Sequence, residues 1–172
     1  MQSINYPLSF TDIKNIYPRA KLIKYSDISG YDNIHDLIGP TGQCIILYLF
    51  TPTSGHYVAL FKRAGRISYF DSYGFPPEEA YKFMDAKARI ENNQVEPYLF
   101  QLMEGIHSEY NPYPFQDFKE GIATCGKHCI MRLINAGYSP YGYKLELDKI
   151  KKIYPEKSYD EIVNDAFAMK FT

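Results

Sequence analysis

Gln116-Asp117-Phe118-Lys119-Glu120-Gly121-Ile122-Ala123-Thr124-Cys125-Gly126-Lys127-His128-Cys129-Ile130-Met131-Arg132-Leu133 is the stretch around which the chain is organised. From Cys125 onward it reads as a helix, with Cys125, Cys129, Ile130, Leu133 and Ile134 on one apolar stripe and Gly137 as the stop. Thr124 takes the N-cap position, which puts Cys125 in the first turn. A thiol there meets the positive end of the helix dipole and unpaired backbone N–H groups. Both favour thiolate, the nucleophilic form. Gly126 lets another chain pass close to the sulfur. Upstream of Cys125, Gln116 carries an amide able to donate to a developing oxyanion. This is the layout of a cysteine nucleophile.

Such a nucleophile needs a base, and Gly55-His56-Tyr57-Val58-Ala59-Leu60-Phe61-Lys62-Arg63-Ala64-Gly65-Arg66-Ile67-Ser68-Tyr69-Phe70-Asp71-Ser72 supplies one. Two β-prone runs flank Ala64-Gly65, which predicts a hairpin. With the turn at 64 and 65, Asp71 falls opposite Val58, and His56 lies on the same face, diagonal to Asp71. A slip of one residue would send the two side chains to opposite faces, so the pairing depends on register.

Gly-His-aromatic, then Phe-Asp-Ser, then Gln, then Cys-Gly, in that order, resembles the adenovirus-protease and SUMO-protease clan of cysteine peptidases. The resemblance covers residues 43 to 137. It implies an α+β, papain-like but circularly permuted fold of the adenain type, with His56 as base, Asp71 as its orienter, Gln116 as oxyanion donor and Cys125 as nucleophile. It further implies a virus-encoded maturation enzyme that processes capsid or core precursor proteins next to Gly or another small residue. The location implied is the virion and the host-cell cytoplasm. Members of the clan also act as ubiquitin- or SUMO-type isopeptidases, and a non-catalytic binding module on the same fold is the alternative outside enzymes. Two departures stand out: Tyr57 follows the histidine where Trp is common, and the Gln116-to-Cys125 spacing is longer than usual. The disulfide-tethered peptide and DNA used by the adenoviral relative are not carried over, so no cofactor is expected.

The 172 residues are enough for one domain, 1–172, with a core that needs neither disulfide nor metal. The 17 Tyr and 11 Phe predict half-buried hydroxyl-bearing rings or an aromatic-lined peptide groove. With 19 basic and 20 acidic residues, no global field recruits nucleic acid or anionic membrane. A monomer acting on protein substrates is expected. Three cysteines suit a reducing compartment better than a disulfide scaffold. The start, Met1 to Pro7, has neither a basic n-region nor a long apolar run.

Along the chain, Ser9 to Asp12 form a capping box opening a short helix that Pro18 ends. Leu22 to Tyr25 reads as a brief strand, Asn33 to Ile38 as a short helix, and Gln43 to Phe50 as a strand buried on both faces. A helix is expected from Pro77 to about Ile90, a strand from Tyr98 to Met103, and an irregular segment from Asn111 to Gln116. Ser139 to Gly142 reads as loop, Leu147 to Tyr154 as a short helix, and Ser158 to Glu161 as the capping box of a C-terminal helix. The whole is a single α+β domain whose mostly antiparallel sheet lies between helices.

Blander readings compete at each position. Cys44 and Cys129 sit on apolar faces and read as inert. Cys125 to Cys129 does not make a metal site, because one helical turn lacking a second ligand pair cannot close a tetrahedron. Gln101 is an alternative oxyanion donor. His128, three residues after Cys125, competes with His56 as base. An imidazolium in the first turns of a helix is repelled by the dipole. Local geometry also places no carboxylate against His128, so it reads as a packing residue and His56 as the base.

Overall fold

The computed structural model describes residues 3–171, so the reading of Met1 and Gln2 lies outside the described residues. Its elements are α1 (Phe10–Ile16), β1 (Lys21–Lys24), α2 (Ile34–Ile38), β2 (Gln43–Leu49), β3 (Gly55–Arg63), β4 (Arg66–Phe70), α3 (Ala86–Glu91), α4 (Tyr98–Met103), β5 (Ser108–Tyr110), α5 (Cys125–Ile134), α6 (Pro140–Ile153) and α7 (Tyr159–Phe171). The fold is single-domain α+β. Five strands in sequence order form one sheet with helices on both faces.

Strand alternation builds two cores. In β3, Tyr57, Ala59 and Phe61 face Cys129, Ile130 and Leu133 of α5, with α6 and α7 behind them. Val58 and Leu60 face the other way, onto Ile34, Leu37 and Ile38 of α2 and Leu99 and Met103 of α4. β2 divides likewise, with Ile45 on the α5 face and Cys44, Ile46 and Tyr48 on the α2 face. A strand covered on both sides must be apolar at consecutive positions, which is why Cys44 to Leu49 carries no charge.

The sheet is more mixed than the mostly antiparallel one expected. β2–β3 and β3–β4 are antiparallel, but the edge pairings β1–β2 and β4–β5 are parallel. Parallel neighbours need a crossover, and the chain supplies one through α2 and another through α3 and α4. The hairpin turn is Ala64-Gly65, both with positive φ (49° and 75°), as a two-residue turn between right-twisted strands requires. Ala59 therefore pairs with Phe70 and Arg63 with Arg66, the register read from the sequence.

Other elements differ from their sequence readings. Tyr98 to Met103 is helix, not strand: Leu99 and Met103, one helical turn apart, are the two residues buried. A six-residue apolar run does not by itself distinguish the two periods. The helix expected from Pro77 to Ile90 is broken into a 3-10 turn, Glu79–Phe83, and α3. Met84 is extended between them, and Asp85 caps α3 by accepting from Ala88 N at 3.1 Å. Ser139 to Gly142 is the start of α6 and not loop: Ser139 Oγ accepts from Gly142 N at 2.9 Å, and Pro140 takes N1. α5 ends at Ile134, before the expected Gly137 stop, because Asn135 turns its amide back onto Met131 O.

Candidate active site

β3 begins at Gly55, and His56 is its second residue. β4 ends at Phe70, so Asp71 emerges where the hairpin opens. There His56 Nε2 lies 2.8 Å from Asp71 Oδ1, with both side chains almost wholly buried. The same carboxylate oxygen accepts from Tyr73 N at 2.8 Å. Asn111 Nδ2 donates to Asp71 O at 3.0 Å and to Tyr113 O at 2.9 Å, tying the Asp71 backbone to the proline-rich segment. Since Nε2 is taken, Nδ1 is the imidazole nitrogen left for another partner.

That partner is Cys125. α5 packs its apolar stripe against β3, which brings its first residue to the start of that strand. The three cysteines are all free, and Cys125 alone is not buried. Burial acts to raise the Cys125 thiol, but the hydrogen bond and positive charge of His56, with backbone N–H donors at Tyr57 and Gly126, hold it below the ordinary thiol value. His56 answers in kind. Burial alone would lower it, yet the charge and hydrogen bond of Asp71, followed by those of Cys125, push it up to about 10. Both shifts favour the thiolate–imidazolium form of the pair. Burial instead pushes Cys44 up to about 12 and raises Cys129, consistent with inert core thiols.

Gln116 is buried beside the cleft. Its backbone N–H and that of Phe115 both donate to Ser72 O, at 2.9 and 2.8 Å. Ser72 Oγ donates to Gln116 Oε1 at 2.6 Å. One residue next to Asp71 therefore engages both backbone and side chain of Gln116, and with Oε1 occupied the NH2 is the end left to donate. Gln101, the alternative donor, lies exposed on α4 and does not line the cleft.

The cleft encloses about 590 Å³ and brings His56, Gln116 and Cys125 together. Leu8, Leu47, Leu49, Phe50 and Tyr57 give it an apolar wall. A second cavity of similar volume, lined by Arg19, Lys62 and Arg63, lies at the hairpin tip and holds none of the four residues. Asp71 stands behind His56, outside the cleft lining.

His128 does have a carboxylate, contrary to the sequence reading. Its Nε2 lies 2.9 Å from Asp160 Oδ1 of α7, a residue 32 positions away that no local spacing would connect to it. The ring is fully buried, does not line the cleft, and is not among the groups that lower the Cys125 thiol. Sequence reasoning gave no role to Ser72, Tyr73 or Asn111, which are ordinary turn residues until the site is assembled. The signal for two of them was their position immediately after Asp71.

The fold and site thus define a compact α+β scaffold in which His56, Gln116 and Cys125 line one cleft and Asp71 stands behind the histidine. Over 158 residues the chain is 31% identical to the "Uncharacterized protein V9" of Sputnik virophage, a match covering 90% of each. It belongs to the family of that virophage protein. No family model matches the chain. Among solved structures it is similar to the ASFV pS273R protease, with a TM-score of 0.43 and 15% identity. That similarity covers 81% of this chain and 62% of the other, so the chain spans less than two thirds of the length of the solved protein. Among the described residues, no helix is long and apolar enough to cross a membrane.

Proposed function

We propose that the chain is a cysteine endopeptidase. The observation that carries this reading is the half-buried Cys125 thiol, held toward thiolate by a histidine that Asp71 grips from behind. The Cys125 sulfur attacks the scissile carbonyl carbon, and the C=O electron pair moves onto oxygen. Gln116 and the Cys125 backbone N–H stabilise that oxyanion. On collapse, the C–N bond breaks as His56 gives its proton to the leaving amine. The acyl-enzyme thioester is then hydrolysed by a water whose proton His56 removes, which regenerates the pair.

The resemblance of the four-part motif supports the substrate class proposed here, and kinship with a virophage protein suits a viral one. That class is a viral capsid or core precursor, cut after Gly or another small residue, in the virion or in the host-cell cytoplasm. The apolar wall of Leu47, Leu49 and Tyr57 suits an extended peptide with apolar side chains. The test is a Gly-containing peptide library with a thiol-directed peptide-aldehyde probe. Cleavage and labelling should both require Cys125 and survive Cys44→Ala. A folded protein that neither cleaves a peptide nor takes the probe at Cys125 sinks the reading. Cleavage confined to folded ubiquitin-like fusions redirects it to an isopeptidase.

A further inference from the structure

Between Gln116 and Cys125 runs an eight-residue segment, 117–124, without regular secondary structure. Phe118 is 56% exposed, and Gly121 adopts a left-handed φ of 86°. Inside the segment the backbone bonds are sparse: Lys119 N to Asp117 O, Ile122 N to Lys119 O at a long 3.4 Å, and Ala123 N to Ile4 O. Such a loop does not by itself hold its two ends at a defined separation. Yet an oxyanion hole requires that, because the donors flank the loop: the Gln116 amide before it and the Cys125 N–H after it.

Both ends meet one carboxylate. Asp160, in the first turn of α7, is wholly buried. Its Oδ2 accepts from Asp117 N at 2.9 Å. Its Oδ1 accepts from Thr124 Oγ1 at 2.6 Å and faces His128 Nε2 at 2.9 Å. Asp117 adjoins Gln116 and Thr124 adjoins Cys125. The Thr124 hydroxyl does not cap α5, because it is turned to Asp160 instead. Burial acts to raise the Asp160 carboxyl, but the hydrogen bond and charge of His128, with Asp117 N–H and Thr124 Oγ–H, hold it below the ordinary carboxyl value. The tether is therefore a charged acceptor with both oxygens engaged, the stronger kind of hydrogen-bond partner. α7 is further locked to α5 by Lys127 Nζ, 2.6 Å from Asn164 Oδ1.

We propose that Asp160 is a positioning residue for the oxyanion hole, its carboxylate clamping both ends of the 117–124 loop so that the Gln116 amide and the Cys125 N–H converge. This rests on the peptidase reading. The clamp touches no substrate. It acts through Gln116 and through the start of α5, and it comes from an element outside the 43–137 region that carries the four-part motif.

Two probes separate its effect from that on the nucleophile. A peptide aldehyde forms a hemithioacetal whose oxygen sits in the oxyanion hole, whereas iodoacetamide reads only the thiolate. Asp160→Asn keeps size but replaces one acceptor oxygen with an NH2. It should weaken aldehyde binding and lower kcat by about 10- to 100-fold, the scale of a misplaced oxyanion donor. KM and the alkylation rate of Cys125 should each move less than about threefold. In a Gln116→Ala background the same substitution should cost clearly less than in the parent, because only the Cys125 N–H is then left to misplace and residues acting as a unit are not additive. Thr124→Val, which leaves the His128–Asp160 pair intact, guards against a fold defect and should show the same pattern, and Thr124→Ser should recover most of the loss. Folded Asp160→Asn or Thr124→Val protein with unchanged aldehyde affinity and kcat overturns the proposal, as does a full multiplicative loss on top of Gln116→Ala. If the parent protein itself binds no aldehyde and its Cys125 alkylates no faster than a free thiol, the peptidase reading falls and takes the clamp's role with it.

Discussion

The imidazole of His56 and the ring of Tyr73 are stacked, with centroids 4.5 Å apart and planes 16° from parallel. Tyr73 is also bonded through its backbone N–H to the Asp71 oxygen that holds His56. It therefore grips the pair twice, once through the main chain and once through the face of its ring. A cation over an aromatic face is stabilised by about 0.5–2 kcal/mol, depending on how far the pair is removed from water. Imidazolium should feel this, and neutral imidazole should not.

Tyr73→Leu is accordingly expected to lower the His56 pKa by roughly half a unit to one and a half units. The alkaline limb of kcat/KM should shift down by that amount, while Tyr73→Phe leaves it in place. A pH–rate profile of the three proteins checks this. An unmoved limb in Tyr73→Leu means that Asp71 and Cys125 set the imidazolium without the ring.

The pH dependence of the parent follows from the two shifts at the site. Cys125 is held below the ordinary thiol value and His56 is raised to about 10, so the thiolate–imidazolium pair is favoured from the lowered thiol pKa up to about 10. Below the window the thiol is protonated and both peptide cleavage and alkylation fall. Above about 10, His56 can no longer protonate the leaving amine, so cleavage falls while alkylation does not. Parallel profiles measured with a peptide and with iodoacetamide should therefore agree on the acid side and part on the alkaline side. Loss of both together at high pH would contradict the assignment of His56 as general acid.

The choice between the two histidines has a direct test. His56→Ala should leave almost no cleavage, and Asp71→Asn should reduce it strongly with the fold retained. His128→Phe removes the partner of a buried carboxylate and should destabilise the protein by about 3 kcal/mol or more. The rate per titrated active site should fall no further than in Asp160→Asn, and so stay far above that of His56→Ala. Calorimetry and active-site titration separate the two effects. A folded His128→Phe protein as dead as His56→Ala would transfer the base to α5.

For the oxyanion donor, Gln116→Ala should lower kcat by about 10²–10³ with little change in KM. Ser72→Ala frees the Gln116 amide to rotate, since Ser72 Oγ is its Oε1 partner. It should therefore fall between Gln116→Ala and the parent. Gln101→Ala, on the exposed face of α4, should change nothing measurable. Steady-state kinetics on one peptide gives the ranking, and a reversal between Gln116 and Gln101 would reassign the donor.

Gly55, next to the base, tests the cleft wall. A Cβ there would lie 2.6 Å from Tyr48 O and 2.6 Å from Leu47 Cδ1. The leucine tip can move, but the carbonyl belongs to the β2 backbone. Gly55→Ala should therefore destabilise by about 1–3 kcal/mol and displace His56 enough to lower kcat. Denaturant unfolding beside kinetics checks both. A variant as stable as the parent would show that the β2–β3 ladder opens freely at this end.

Much of this arrangement was legible from local rules. Ala64-Gly65 admits a two-residue turn, and the turn fixes a register that leaves His56 and Asp71 together at the open end of the hairpin. The same rules put Cys125 at the start of a helix whose apolar stripe had to be buried. They did not distinguish helix from strand at Tyr98 to Met103, where a short apolar run satisfies either period and only burial against the sheet decides. They did not find β5 (Ser108–Tyr110), which is too short to show a period, and did not foresee parallel edges, because strand direction depends on where the crossover helices find an apolar face to cover.

By its own local physics, then, the sequence determined the turn, the His–Asp register, the capping boxes at Ser9 and Ser158 and the thiol at a helix start, since each involves residues close enough in the chain for backbone geometry to dictate the outcome. Only the tertiary structure decided that α5 would lie across β3 and so bring Cys125 to His56, 69 positions earlier in the chain (125 − 56). It alone also brought the Asp160 carboxylate of α7 to Thr124, Asp117 and His128. Those contacts form because both faces of one sheet must be covered, and a buried carboxylate, once there, must find donors wherever the packing has left them.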